Sequence, residues 1–176
     1  MQFYESLGLA PKLSLDPDDL KKRFYERSRQ WHPDRFSRST PEEQQKALDV
    51  TALLNDAFRT LKDPVPRAEY FLKMRGVELS KEAPPELLEE VFELNMALEE
   101  LRGGDETARE PLVQSQGRFL AMREETDEEL AVLFKRYDAA PSEAILDEIR
   151  GVLNRRRYIS NLVKEVENEL GQSLSA

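Results

Sequence analysis

Histidine occurs once in this 176-residue sequence, as His32, and cysteine does not occur at all. One imidazole can serve as a single general acid or base, and the nearest carboxylate is Asp34, two residues on. A hydrolase built on that pair would also need an orienting group, an oxyanion site and a concave pocket, and a loop between helices supplies none of them by sequence. Without thiols there is no disulfide, no thiolate metal site and no cysteine nucleophile. A single histidine removes His-cluster zinc centres. Carboxylates that could hold Mg²⁺ or Ca²⁺ are plentiful, but no D-x-D-x-D-G loop spacing occurs. The paired glycines Gly103-Gly104 run into Asp105-Glu106, the wrong charge for a phosphate cradle. The expectation is a protein that is not an enzyme and uses no cofactor or metal.

What His32 has instead is position. The tripeptide His32-Pro33-Asp34, followed by Arg35-Phe36, lies between two strong helical signals. Before it, Asp16-Pro17-Asp18-Asp19 offers an N-cap, a proline in the first turn and acidic first-turn residues. The helix so begun should run to about Trp31, burying Leu20, Phe24 and Trp31, and must close before Pro33. After it, Thr40-Pro41-Glu42-Glu43 reads as a capping box with proline at the first helical position. That helix should reach about Leu61, with Ala47, Val50, Leu54, Phe58 and Leu61 along one face. Lengths of roughly 15 and 21 residues suit an antiparallel hairpin, with the tripeptide in its connection.

The remaining punctuation is also helical. A short helix around Phe3–Leu9 should stop at Gly8, and another around Arg67–Arg75 at Gly76, after the break at Asp63-Pro64-Val65-Pro66. A charged, proline-bearing linker, 77–84, leads to three longer stretches near Pro85–Arg102, Thr107–Ala139 and Ser142–Leu170. Their breaks are Gly103-Gly104, Ala140-Pro141 and Gly171. Pro111 falls either in the first turn of the middle stretch or at a kink, and Gly151 weakens the last. The fold class predicted is all-α: a helical hairpin with short flanking helices over 1–76, then an antiparallel three-helix bundle over 85–176.

Charge divides along the same line. Residues 1–76 hold 14 Lys/Arg against 12 Asp/Glu, and residues 77–176 hold 12 against 23. A second half that acidic repels phosphate backbones, so no nucleic-acid partner is expected. The more basic first half suits an acidic protein surface. No run of about 20 apolar residues is present, and the start resembles neither a secretory signal nor a transit peptide. No membrane partner and a cytoplasmic location are the default expectations.

Residues 1–76 resemble a J-domain, the module that binds DnaK-class chaperones and stimulates their ATP hydrolysis. The resemblance rests on Phe3-Tyr4-Glu5-Ser6-Leu7-Gly8-Leu9, the basic helix with Phe24, His32-Pro33-Asp34 and the helix that follows. It implies that His32, Pro33 and Asp34 are the trigger of ATPase stimulation. It also implies that Lys21, Lys22, Arg23 and Arg29 make electrostatic contacts with the chaperone, steering encounter in a salt-dependent way. The sequence departs at Arg27, where the family carries an apolar residue, so an arginine stem must fill or cover that point of the hairpin.

No Gly/Phe-rich linker or cysteine-rich repeat follows, as it would in a general J-protein. The run Arg67-Ala68-Glu69-Tyr70, and the plan of J-domain, short linker and acidic helical domain, instead resemble the HscB family of iron–sulfur assembly co-chaperones. That likeness implies two partners: an HscA-like, DnaK-class ATPase and an IscU-like scaffold on which clusters are built. It places client contact at Leu88 and Phe92, with Glu93 beside them, and at Tyr158. Leu88 and Phe92 share one helix face and suit either an exposed apolar patch or ordinary bundle core, with Val91, Leu94 and Leu98 on the adjacent face. The cluster would be held by the scaffold, since this chain has no thiolate to offer. The rival readings are a J-domain co-chaperone for a general DnaK-class chaperone with a different client, and a purely structural helical scaffold that leaves the His-Pro-Asp placement unexplained.

Overall fold

Seven α-helices form where caps and breakers direct them in the computed structural model, which describes residues 2–173. They are α1 (Gln2–Ser6), α2 (Pro17–Gln30), α3 (Pro41–Lys62), α4 (Pro64–Met74), α5 (Leu88–Arg102), α6 (Arg109–Ala139) and α7 (Glu143–Ser173). The protein is all-α, with no strand among the described residues. No described helix is long and apolar enough to cross a membrane. Asp16 Oδ1 accepts from the Asp18 amide at 2.9 Å to start α2. Thr40 and Glu43 exchange the two bonds of a capping box, at 3.3 and 3.1 Å, to start α3. Asp63 Oδ1 then caps Val65 N–H at 3.0 Å, so α4 begins immediately after α3 ends. Gly8 and Gly76 take φ of +65° and +73°, the left-handed turn that a glycine enters without strain.

The contacts divide the described residues into two units, 2–78 with 134–141, and 79–133 with 142–173. The last turns of α6 group with the first unit. There Asp138 accepts from the amides of Leu13 (3.0 Å) and Ser14 (2.7 Å), and Tyr137 sets its ring edge-on to Phe71. The α2–α3 hairpin packs Leu20, Leu54 and Leu61 inside and stacks Phe24 on Phe58, ring centroids 4.3 Å apart. Phe24, Trp31, Val50 and Phe58 were all expected in the core and are only half-buried. Their rings and branches close the hairpin's edges, while small Ala47 and Ala57 let the helices approach. Arg27 lies outside the core, its guanidinium beside Gly8, and an open cleft of about 310 Å³ lined by Leu7, Arg23, Glu26, Arg27 and Gln30 adjoins it.

Arg67-Ala68-Glu69-Tyr70 is a packing element of this unit. Arg67 is buried and donates from Nη1 to the Leu61 carbonyl at 2.8 Å; Ala68 is fully enclosed. Tyr70 stacks on Phe3 (4.5 Å) and accepts the Phe3 amide at its hydroxyl. Tyr4, also fully enclosed, donates its hydroxyl to the Lys12 carbonyl at 2.7 Å. Burial pushes the Tyr4 phenol well above its ordinary value and the Arg67 guanidinium below its own.

In the second unit α5, α6 and α7 surround a core that includes Leu94, Leu98, Leu112, Phe119, Ile159 and Val163. Ion pairs Glu86–Arg155 (3.9 Å) and Arg102–Glu169 (2.8 Å) put α5 and α7 side by side in the same direction, and α6 runs antiparallel to α7, with Arg155 against Glu129 and Arg156 against Asp127. Pro111 sits in the first turn of α6, where its missing N–H has no helical acceptor, and Asp105 caps the 3₁₀ turn Glu106–Ala108 just before it. Neither Gly151 nor Gly171 interrupts α7: a helix held along its length by packing tolerates the roughly 1 kcal/mol cost of a glycine.

Candidate functional site

Pro33 forbids α geometry at His32, which adopts φ −59°, ψ 129° and caps a 3₁₀ turn over Pro33–Phe36. His32 Nδ1 accepts the Asp34 amide at 3.3 Å, which leaves Nε2 to carry the proton of the neutral ring. Both functional side chains are open: 58 % of the His32 side chain and 90 % of that of Asp34 are accessible. Asp34 Oδ2 stands 3.5 Å from Nδ1, a carboxylate beside the ring but without its own bond to it. Behind the tip, Trp31 and Phe36 stack nearly parallel (5.7 Å, 8°), Lys46 lies 5.6 Å over the Trp31 ring, and Thr51 Oγ1 donates to the Trp31 carbonyl at 3.1 Å. This aromatic clasp closes the loop from within and keeps residues 32–34 outside.

The cations predicted beside the loop separate into two kinds. Lys21, Lys22 and Arg29 are exposed on α2 and have no ion-pair partner among the described residues. Arg23 is half-buried, bonded to Asp19 (2.7 Å) and to the Gly8 carbonyl (2.7 Å), and so braces α1 against α2. A pattern of Lys and Arg on one helix cannot distinguish these roles, because the partner of Arg23 lies 15 residues away.

On α5, Leu88 and Phe92 are exposed, at 59 % and 66 %, while Leu87, Leu94 and Leu98 point into the bundle. Met96 extends the exposed row by a further turn at 49 %. It was missed at the sequence level, although its spacing, eight from Leu88 and four from Phe92, was legible. Glu93 is exposed, 3.7 Å from Arg118 of α6. Tyr158 is different: half-buried against the core, it lies under the Arg157 guanidinium and donates its hydroxyl to the Lys81 carbonyl at 3.0 Å. Arg157 and Asn154 bond the carbonyls on either side, Ser80 at 2.7 Å and Glu82 at 2.8 Å, so one stretch of α7 grips three consecutive linker residues. The Arg155-Arg156-Arg157 run, open to a reading as solvated charge, is thus engaged throughout: Arg155 with Glu129 and Arg156 with Asp127.

Comparison with known proteins matches residues 2–70 to the DnaJ domain and residues 83–167 to the HSCB C-terminal oligomerisation domain. A co-chaperone protein HscB homolog from Shewanella baltica is 35% identical over 158 residues, 85% of this chain and 88% of that protein. Among solved structures, chaperone HscB from Vibrio cholerae superposes with a TM-score of 0.69 at 29% identity, covering 98% of this chain and 99% of that one. Human co-chaperone protein HscB has the same fold, with a TM-score of 0.71 at 24% identity over 95% of this chain and 81% of its own.

Proposed function

The chain belongs to the HscB family of J-domain co-chaperones, and from that premise we propose that it stimulates ATP hydrolysis by an HscA-like, DnaK-class chaperone and delivers an IscU-like iron–sulfur scaffold to it. Residues 1–76 carry the trigger and residues 85–176 the client, with 77–84 as the linker. The observation that carries this reading is the His32-Pro33-Asp34 tip, open to a partner and held outward by the Trp31–Phe36 stack. The unpaired cations of α2 on the approach to it favour an acidic protein surface.

The protein works by binding, not by supplying reacting groups. The tip and the cations hold the ATP form of the chaperone, and differential contact with its hydrolysis-competent state shifts the population toward that state. The apolar row of α5, Leu88 and Phe92 with Glu93 at its edge, holds the scaffold and raises its effective concentration beside the chaperone's peptide site. Tyr158 of α7, its hydroxyl bonded to the linker at the Lys81 carbonyl, is the aromatic client contact. Cluster chemistry stays with the scaffold, since no cysteine is available here. The work is cytoplasmic and involves neither nucleic acid nor membrane.

The test is single-turnover ATP hydrolysis by an HscA-like chaperone, with and without scaffold. Native protein should accelerate hydrolysis and the scaffold should add to it. His32→Gln should keep the fold and bind scaffold, yet lose the acceleration. Full stimulation by that variant refutes the trigger, and no scaffold binding at micromolar concentration refutes the client.

A further inference from the structure

The exposed face of α2 carries more than charge. Tyr25 stands on it with 48 % of its surface open, one turn from Lys21 and one turn from Arg29. Four-residue steps rotate a helix by only about 40°, so Lys21, Tyr25 and Arg29 form one ridge with Lys22 beside it. Seven residues, two turns, separate Tyr25 from His32, so the ridge leads toward the tip. Phe24, the preceding residue, stacks on Phe58 and turns the adjacent side of the helix to α3. Tyr25 itself meets one other ring, Phe24 at 5.6 Å, and its hydroxyl has no hydrogen-bond partner among the described residues. None of the three cations around it has a carboxylate partner there either. A solvated helix face needs no aromatic ring at its centre, whereas interfaces concentrate tyrosine there, with charge around it.

We propose that Tyr25 is the aromatic anchor of the chaperone-facing surface. Its ring seats on an apolar spot and its hydroxyl meets an acceptor, within an acidic protein surface that Lys21, Lys22 and Arg29 engage around it. This rests on the chaperone reading above and adds a division of labour: Tyr25 sets affinity, whereas His32-Pro33-Asp34 sets the rate of hydrolysis.

The experiment titrates the full chain into the ATP-loaded chaperone and follows single-turnover hydrolysis at several salt concentrations. Tyr25→Ala should raise the half-maximal concentration by about thirty-fold, the threshold of a central interface residue. It should leave the maximal rate, the melting temperature and the salt slope unchanged. Tyr25→Phe should fall between it and the native chain, and Lys21→Ala should flatten the salt slope. A native half-maximal concentration for Tyr25→Ala, with His32→Gln still inactive, overturns the anchor alone. Equal rates for the native chain and His32→Gln overturn the trigger reading and the anchor with it. A larger sedimenting mass for the native chain than for Tyr25→Ala, without chaperone, would seat the ring on a second copy and also overturn the proposal.

Discussion

Arg67 Nη1 donates to the Leu61 carbonyl at 2.8 Å inside the first unit, where almost none of the arginine meets solvent. The bond satisfies a carbonyl at the end of α3, which the turn into α4 leaves without a helical donor. A basic residue in a run shared with a co-chaperone family invites a contact role, and its surroundings argue for a packing one. The arginine's Nε finds no partner, so burial is incompletely compensated. Arg67→Ala should therefore lower stability by about 1–3 kcal/mol for the orphaned carbonyl, plus a cavity contribution. Arg67→Met keeps most of the volume, removes the unpaired Nε and should cost less. Urea unfolding of the full chain measures the difference; equal losses in the two variants would refute the packing account.

Tyr4 predicts an alkaline limit to the same unit. Burial holds its phenol protonated beyond the ordinary tyrosine value, whereas the unfolded chain ionises near pH 10. Above that pH the unfolded state has released a proton that the folded state still binds, so stability declines as pH rises. Tyr4→Phe should be weaker by about 1 kcal/mol at pH 8, where the Lys12 carbonyl has lost its donor. It should then decline less steeply between pH 9 and 11.5, so that the two stability curves converge. Parallel curves would show that Tyr4 ionisation does not couple to unfolding.

Neighbouring residues of α5 should separate binding from stability. Phe92→Ala removes an exposed ring, so the melting temperature should hold while scaffold affinity falls by about 2 kcal/mol or more. Leu94→Ala removes a buried side chain two residues on and should cost about 2–5 kcal/mol of stability instead. Calorimetric titration with scaffold, paired with thermal melts, reads both. Unchanged affinity in Phe92→Ala would remove the row from the client surface.

Proline, glycine and capping side chains act within one or two turns, so the starts of α2 and α3 and the stops at Gly8 and Gly76 could be read from sequence alone. The same locality made His32-Pro33-Asp34 conspicuous between two helices. Other features depend on groups brought together over long separations. Asp138 reaches Leu13 across 125 positions, and no periodicity within α6 marks its last turns for the first unit. Which apolar side chains of α5 lie inside was decided by α6 and α7, whose packing took Leu94 and Leu98 and left Leu88, Phe92 and Met96 open. Arg23 became a brace while Lys21 and Lys22 stayed free because the Gly8 turn lies beside only one of them. Caps and breakers act through neighbours in the chain, whereas burial and pairing depend on neighbours in space, which only the folded protein supplies.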